Sequence, residues 1–286
     1  MTPTRSSSCS NSSIRRIDAP LAHVYSKVRS AIRSIFKAST EDKEIKPGRE
    51  DIFLVSYPRS GNTWVRTIIA HLMFGDHLTS LSDLDVLVPD VYNGLRSIPG
   101  DQTFRVIKTH EPFPQRQHWK SNDYDKIIYL VRDPLDVARS FYTFVRDVWK
   151  DDMAIDDYVN DFMSGSLWPC SWGEHVLSWL KRSGDHDILL LRYEDLQTSP
   201  TTEILRIAEF IDTPVTKDEA QDIRNRCSKE NMIELEKKGS IVDDDYEFVS
   251  RTEKRQTKEA FTDEHYAQIE MSFMEARSAT GYKTTD

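Results

Sequence analysis

Four short apolar runs mark the chain between residues 52 and 191: Ile52-Phe53-Leu54-Val55-Ser56, Val106-Ile107, Ile127 to Val131 and Ile188 to Leu191. Each is rich in strand formers and reads as a buried strand. After the first run Val65, Ile68, Ile69 and Leu72 recur at helical spacing, and after the third Pro134 suits the first turn of a helix. Strands separated by helices predict an α/β domain with a central parallel sheet, where ligands bind at the carboxyl ends of the strands. Nearer the N-terminus a Ser- and Thr-rich dozen residues precedes a stripe of Val24, Tyr25, Val28, Ile32, Ile35 and Phe36, bordered by Lys27, Arg29, Arg33 and Lys37. The stripe reads either as a helix packed on the domain or as a basic surface-seeking or targeting helix. A polar linker runs from Ala38 to Arg49, so residues 1–48 are set apart from a single domain over 49–286.

Every strand-like run ends in a polar cluster. The first is Tyr57-Pro58-Arg59-Ser60-Gly61-Asn62-Thr63-Trp64, an arginine and a glycine turn between strand and helix. There the helix N-terminus offers unpaired N–H groups to an anion, Gly61 admits close approach of the backbone, and the Ser60 and Thr63 hydroxyls add donors. No Lys-Ser or Lys-Thr pair follows the glycine at the Walker A spacing, which argues against a magnesium-nucleotide hydrolase. Lys108 and His110, two residues apart at the end of the second run, would share a face of a strand. Arg132-Asp133-Pro134 through Ser140 follows the third run, and Arg192-Tyr193-Glu194-Asp195 ends the fourth.

In these segments the chain resembles the cytosolic-type sulfotransferases, which transfer a sulfuryl group from 3′-phosphoadenosine 5′-phosphosulfate (PAPS) and release PAP. The likeness extends through Ser171 to Val176 and Phe261-Thr262, covering roughly residues 50 to 275. It implies a P-loop nucleotide-kinase-like sulfotransferase fold, with Arg59, Ser60, Gly61, Asn62 and Thr63 at the 5′-phosphosulfate. Trp64 and Tyr193 match the family's adenine contacts, and Arg132 and Ser140 its 3′-phosphate contacts. His110 matches the general base, and Arg59 and Lys108 face the leaving phosphate as charge stabilisers. The transfer requires no metal.

Two departures stand out. The family usually carries lysine at Arg59, and arginine does not give up its proton at neutral pH, so that position stabilises charge without delivering a proton. Near the C-terminus the family's Arg-Lys-Gly stretch reads Ser250-Arg251-Thr252-Glu253-Lys254-Arg255. Arg251 is expected at the 3′-phosphate, with Lys254 or Arg255 as a substitute cation; a solvated loop is the alternative. That loss motivates a rival reading, a PAP-binding protein without transfer. A second rival is a nucleotide-dependent kinase of related architecture.

The formal charge of −9 disfavours a general nucleic-acid binder and confines the cations a donor needs to one locality. Cys9, Cys170 and Cys227 are too few and too scattered for a disulfide framework or a zinc site, and no run is long enough to span a membrane. A cytoplasmic protein is expected, with its oligomeric state not readable. Thr79 to Gly100 reads as a loop-rich connection, and Phe144, with Trp168 and Trp172 of a Pro-interrupted loop, is expected to wall an apolar acceptor pocket, with Asp85, Asp90 and Tyr92 as further lining candidates. The acceptor is a small molecule. It is cationic if the acidic runs Asp151 to Asp161 or Asp243 to Asp245 border its pocket.

Overall fold

The four apolar runs become strands β1 (Ile52–Ser56), β2 (Val106–Thr109), β3 (Lys126–Val131) and β4 (Asp187–Arg192), joined in one parallel sheet of order β2-β1-β3-β4. A computed structural model describes residues 47–95, 102–113, 125–149, 151–181, 187–241, 249 and 260–282. All of them lie in the compact unit Thr40–Asp286. The predicted serine-rich tail and basic stripe fall in residues 1–46, outside the described residues, as do Arg251, Lys254, Arg255 and the run Asp243 to Asp245.

The sheet is covered on both faces, which is why its strands read as continuous apolar runs and not as alternation. On one face Phe53, Val55, Ile107, Ile127, Tyr129 and Val131 meet helices α3 (Pro134–Asp147), α4 (Ile155–Ser164) and α5 (Trp172–Leu180) through Val137, Phe141, Tyr158, Phe162, Val176 and Trp179. On the other, Ile52, Leu54, Val106, Ile128 and Leu130 meet α1 (Asn62–Phe74) through Val65, Ile68 and Ile69. Helix α7 (Pro200–Phe210) adds Ile204 and Ile207 to that layer, after the short α6 (Tyr193–Thr198) that follows β4. Each fully buried large aliphatic side chain contributes about 1.5–3 kcal/mol by leaving water. Helices α8 (Lys217–Arg226), α9 (Lys229–Lys238), α10 (Asp263–Ser272) and α11 (Met274–Ala279) complete the described elements.

Because every strand runs the same way, Ser56, Thr109, Val131 and Arg192 end at one edge of the sheet. The chain leaves β1 for β2 on one side and returns to β3 on the other, so the crevice between these connections opens beside β1. Helix α3 begins as expected, with Pro134 in its first turn and the Asp133 side chain accepting from the Leu135 N–H. The connection from Thr79 onward differs from the expected loop. It carries α2 (Leu84–Leu87) between 3-10 turns and buries Leu81, Leu84, Leu87 and Val88. Its anchor is Arg66 of α1, which donates to the Leu84 and Val88 carbonyls at 2.9 Å each and contacts Asp85 at 3.4 Å.

Candidate active site

The loop after β1 is built around two residues with positive φ. Gly61, the N-cap of α1, has φ 98°, and a Cβ there would stand 2.6 Å from the Tyr193 ring, so the position excludes any side chain. Arg59, at φ 68°, occupies the left-handed region that non-glycine residues enter at a cost of roughly 1–3 kcal/mol. That backbone directs the Arg59 Nε to donate to Ser140 Oγ at 3.1 Å, with its guanidinium 5.1 Å over the Phe144 ring. The Arg59 carbonyl meanwhile accepts from Arg132 at 3.2 Å. The loop and the start of α3, expected to hold the two ends of one ligand, are therefore joined directly.

No side chain caps α1 and no acidic residue occupies its first turn, so the positive end of its dipole is uncompensated. The Ser60 hydroxyl, fully buried just before it, has no hydrogen-bond partner among the described residues, nor has the Nε of Arg132. Two orphaned donors beside an uncapped helix fit an anionic group with phosphate oxygens. The Arg132 guanidinium lies 4.4 Å over the Tyr193 ring, and Trp64 stands edge to face with the same ring at 5.8 Å. The expected adenine contacts and the expected 3′-phosphate arginine thus form one cluster.

His110 lies one residue past β2 and is 7% exposed. Its Nδ1 is 2.6 Å from the Ser56 carbonyl, which can only accept, so the ring proton sits on Nδ1 and Nε2 carries the lone pair. The Asn62 amide stands 3.4 Å from Nε2. Burial first, and then the Lys108 charge, hold the imidazole well below its ordinary pKa. Behind it, Tyr129 donates to Nδ1 of His175 at 2.8 Å, and His175 Nε2 donates to the His110 carbonyl at 3.1 Å. That chain fixes the backbone from which His110 projects. Lys108 points its ammonium at Asp90, 2.6 Å away.

The family model described as the sulfotransferase domain matches residues 49–281. The chain belongs to the sulfotransferase family. Amine sulfotransferase of Oryctolagus cuniculus is 28% identical over 198 residues, 67% of this chain and 65% of its own length. Sulfotransferase 1B1 of Canis lupus familiaris is 31% identical over 197 residues, 64% of this chain and 66% of that one. The match thus spans just under two thirds of these relatives. Among solved structures, retinol dehydratase with androsterone and inactive cofactor PAP gives a TM-score of 0.64 at 20% identity over 84% of each chain. Mouse sulfotransferase SULT7A1 with PAP gives 0.62 at 24% identity, over 81% of this chain and 85% of that one. At these identities the likeness shows the fold, and this family member has it.

The three residues expected at an acceptor pocket separate. Trp168 stands edge to face with His110 at 5.7 Å and with Tyr92 at 5.6 Å. Phe144 covers Arg59. Trp172, expected in a loop, instead opens α5, fully buried with its ring 5.5 Å from Phe273, so it belongs to the core. Of the acidic run, Asp156 and Asp157 occupy the first turn of α4, where carboxylates suit the helix dipole, and Asp156 accepts from His265 at 2.8 Å. A cavity of about 470 Å³ at the start of α3 is lined by Asp133, Asp136, Arg139, Arg192, Glu194 and Tyr282, none of them a predicted catalytic residue. The supporting residues Ser56, Tyr129 and His175 had no role in the sequence reading. Their signal is a backbone carbonyl and buried polar side chains up to 65 positions from His110, which spacing does not carry.

Proposed function

We propose that the chain is a PAPS-dependent sulfotransferase acting on a hydroxyl or amine of a small-molecule acceptor, with His110 as general base. The observation that carries this is the bond from His110 Nδ1 to the Ser56 carbonyl at 2.6 Å, which leaves Nε2 as the basic atom of a neutral, buried imidazole. PAPS supplies the sulfuryl group and the phosphate that departs. As the acceptor atom bonds to sulfur, its proton passes to Nε2, and the sulfur–oxygen bond to the phosphate breaks with its electron pair going to PAP. Arg59 and Lys108 offset the charge that gathers on the leaving oxygen. Ser60, Thr63 and the uncapped N-terminus of α1 hold the 5′ side; Arg132 and Ser140, with Arg251, hold the 3′-phosphate; Trp64 and Tyr193 hold the base.

The relatives support this reading: the rabbit protein is named an amine sulfotransferase, and two of the structures sharing the fold contain PAP. Trp168 beside His110, backed by Tyr92, gives the acceptor an aromatic wall. The test is calorimetric titration with PAP and with ATP, followed by turnover of PAPS with a panel of phenols, alcohols and amines. PAP is expected to bind much more tightly than ATP, and His110→Ala to lose about 10²–10⁴-fold in turnover while keeping PAP affinity. Near wild-type turnover in His110→Ala overturns the base assignment. PAP binding with no turnover of any acceptor establishes the rival that the altered 250–258 segment favours, a binding protein without transfer. Tighter ATP than PAP binding establishes the kinase.

A further inference from the structure

The cation assigned to the leaving phosphate is in contact with an acid. Lys108 Nζ lies 2.6 Å from Asp90 Oδ2, and the two side chains are only 8% and 16% exposed. The contact is built on both sides. Asp90 Oδ1 accepts from the Tyr92 N–H at 3.1 Å, while the Lys108 N–H donates to the Pro89 carbonyl at 2.8 Å, so the backbone of the Asp90 loop bridges to β2. Arg66, buried in α1, holds the same loop through the Leu84 and Val88 carbonyls. The backbones that carry the two partners are thereby held against each other, and the Tyr92 N–H also restrains the Asp90 carboxylate.

We propose that Asp90 is a positioning residue for sulfuryl transfer, holding Lys108 charged and in place inside a site that otherwise strips that charge. The proposal rests on the reading of Lys108 as the cation facing the leaving phosphate. Isolated burial of an ammonium costs more than a lysine bears at neutral pH, and the usual result is loss of its proton. Here burial is the largest influence on Lys108 and lowers its pKa, and Asp90 is the largest influence opposing it. The other charged groups facing it act in opposite directions. Arg66 of α1 lowers it, Asp85 of α2 raises it, and the neutral His110 beyond β2 adds no charge. The Tyr92 ring lies 5.6 Å away with its hydroxyl donating to Glu111 at 2.8 Å. A catalytic lysine kept dry for electrostatic strength thus carries its own counter-ion.

Lysine is a cation only below its pKa, so removing Asp90 must shrink the pH range over which Lys108 acts. The experiment is an NMR titration of the full chain labelled with ε-13C lysine, with the Lys108 signal assigned by Lys108→Met. In Asp90→Asn the Lys108 midpoint is expected to fall by about two pH units, a ~100-fold loss of proton affinity. Asp90→Glu keeps the charge and is expected to hold the midpoint within about one unit. In parallel, PAPS turnover by Asp90→Asn is expected to decline about tenfold per pH unit above the new midpoint while Asp90→Glu follows the wild type. A Lys108 midpoint unchanged in Asp90→Asn overturns the proposal. Should the wild type turn over no acceptor, the transferase reading falls, and the NMR midpoints still decide what Asp90 does. If Asp90→Asn does not fold, an Asp90→Glu midpoint identical to the wild type with an altered pH profile of turnover also overturns it.

Discussion

Gly61, Arg59 and His110 each have a chemistry that residue type announces and a partner that it does not. At Gly61 a methyl group meets the Tyr193 ring and the backbone sits at φ 98°. Gly61→Ala is expected to cost roughly 1–3 kcal/mol of stability and about tenfold or more in PAP affinity, read by thermal denaturation and calorimetry. A variant with unchanged melting and affinity would remove Tyr193 from the site. Arg59 pairs a strained backbone with a guanidinium shared between Ser140 and Phe144. Arg59→Met is expected to lose about 10²–10³-fold in turnover, and Arg59→Lys to lose far less, as the proposed role of stabilising charge without delivering a proton requires. The sequence offered an arginine, a lysine and a histidine in the right order. That Lys108 would meet Asp90, and His110 the Ser56 carbonyl, depended on which loop crosses which strand end.

Among the elements, the connection from Thr79 to Leu95 departs most from its sequence reading. Its polar residues and turns suggested a loop. The buried Leu81, Leu84, Leu87 and Val88, and the hydrogen bonds of Arg66, make it a fixed strap across α1 and β2. Arg66→Met takes the Arg66 donor from the Val88 carbonyl and one of two donors from the Leu84 carbonyl, which keeps the Val88 N–H, and leaves Asp85 without its cation, while burial already raises the Asp85 pKa. A loss of about 3–5 kcal/mol is expected from urea denaturation, together with a fall in the Lys108 midpoint as the Asp90 loop loosens. A loss under about 1 kcal/mol would mean that the strap stands without Arg66. The strands, by contrast, were legible because both faces are buried, and a fully apolar run admits little else. Trp172 was misplaced for a related reason. A tryptophan after Pro169 reads equally as pocket wall or core, and the contact with Phe273 of the distant C-terminal segment decides it.

At the scale of the molecule, histidine burial sets a pH limit. His175 is fully enclosed and its pKa falls to about 3, chiefly by desolvation, while the unfolded chain restores the ordinary 6.5. The folded state therefore binds fewer protons in that interval, and its contribution is present above pH 6.5 and lost as pH falls toward 3. The loss amounts to roughly 1.4 kcal/mol per pH unit, and His110 acts in the same direction. Asp85, Asp133 and Glu203, raised by burial, act oppositely. The histidine contribution is thus read as the difference in urea stability between wild type and His175→Gln. That difference is expected to narrow from pH 7 to pH 5 as the wild type loses its advantage; a constant difference would place His175 in contact with solvent. The acid side of the turnover profile is likewise expected below pH 6.5, because burial keeps the imidazole of the proposed base His110 neutral there.

The sequence by itself determined the layering of helices on a parallel sheet, the glycine turn from Arg59 to Thr63 between strand and helix, and the order of the candidate cations. These follow from period, turn chemistry and residue type, which are local. Only the tertiary structure decided which nitrogen of His110 carries the proton, that Trp172 is core, and that Lys108 has Asp90 for a counter-ion. Those outcomes depend on burial and on contacts between segments tens of residues apart, where desolvation sets the charge state and backbone packing sets the partner.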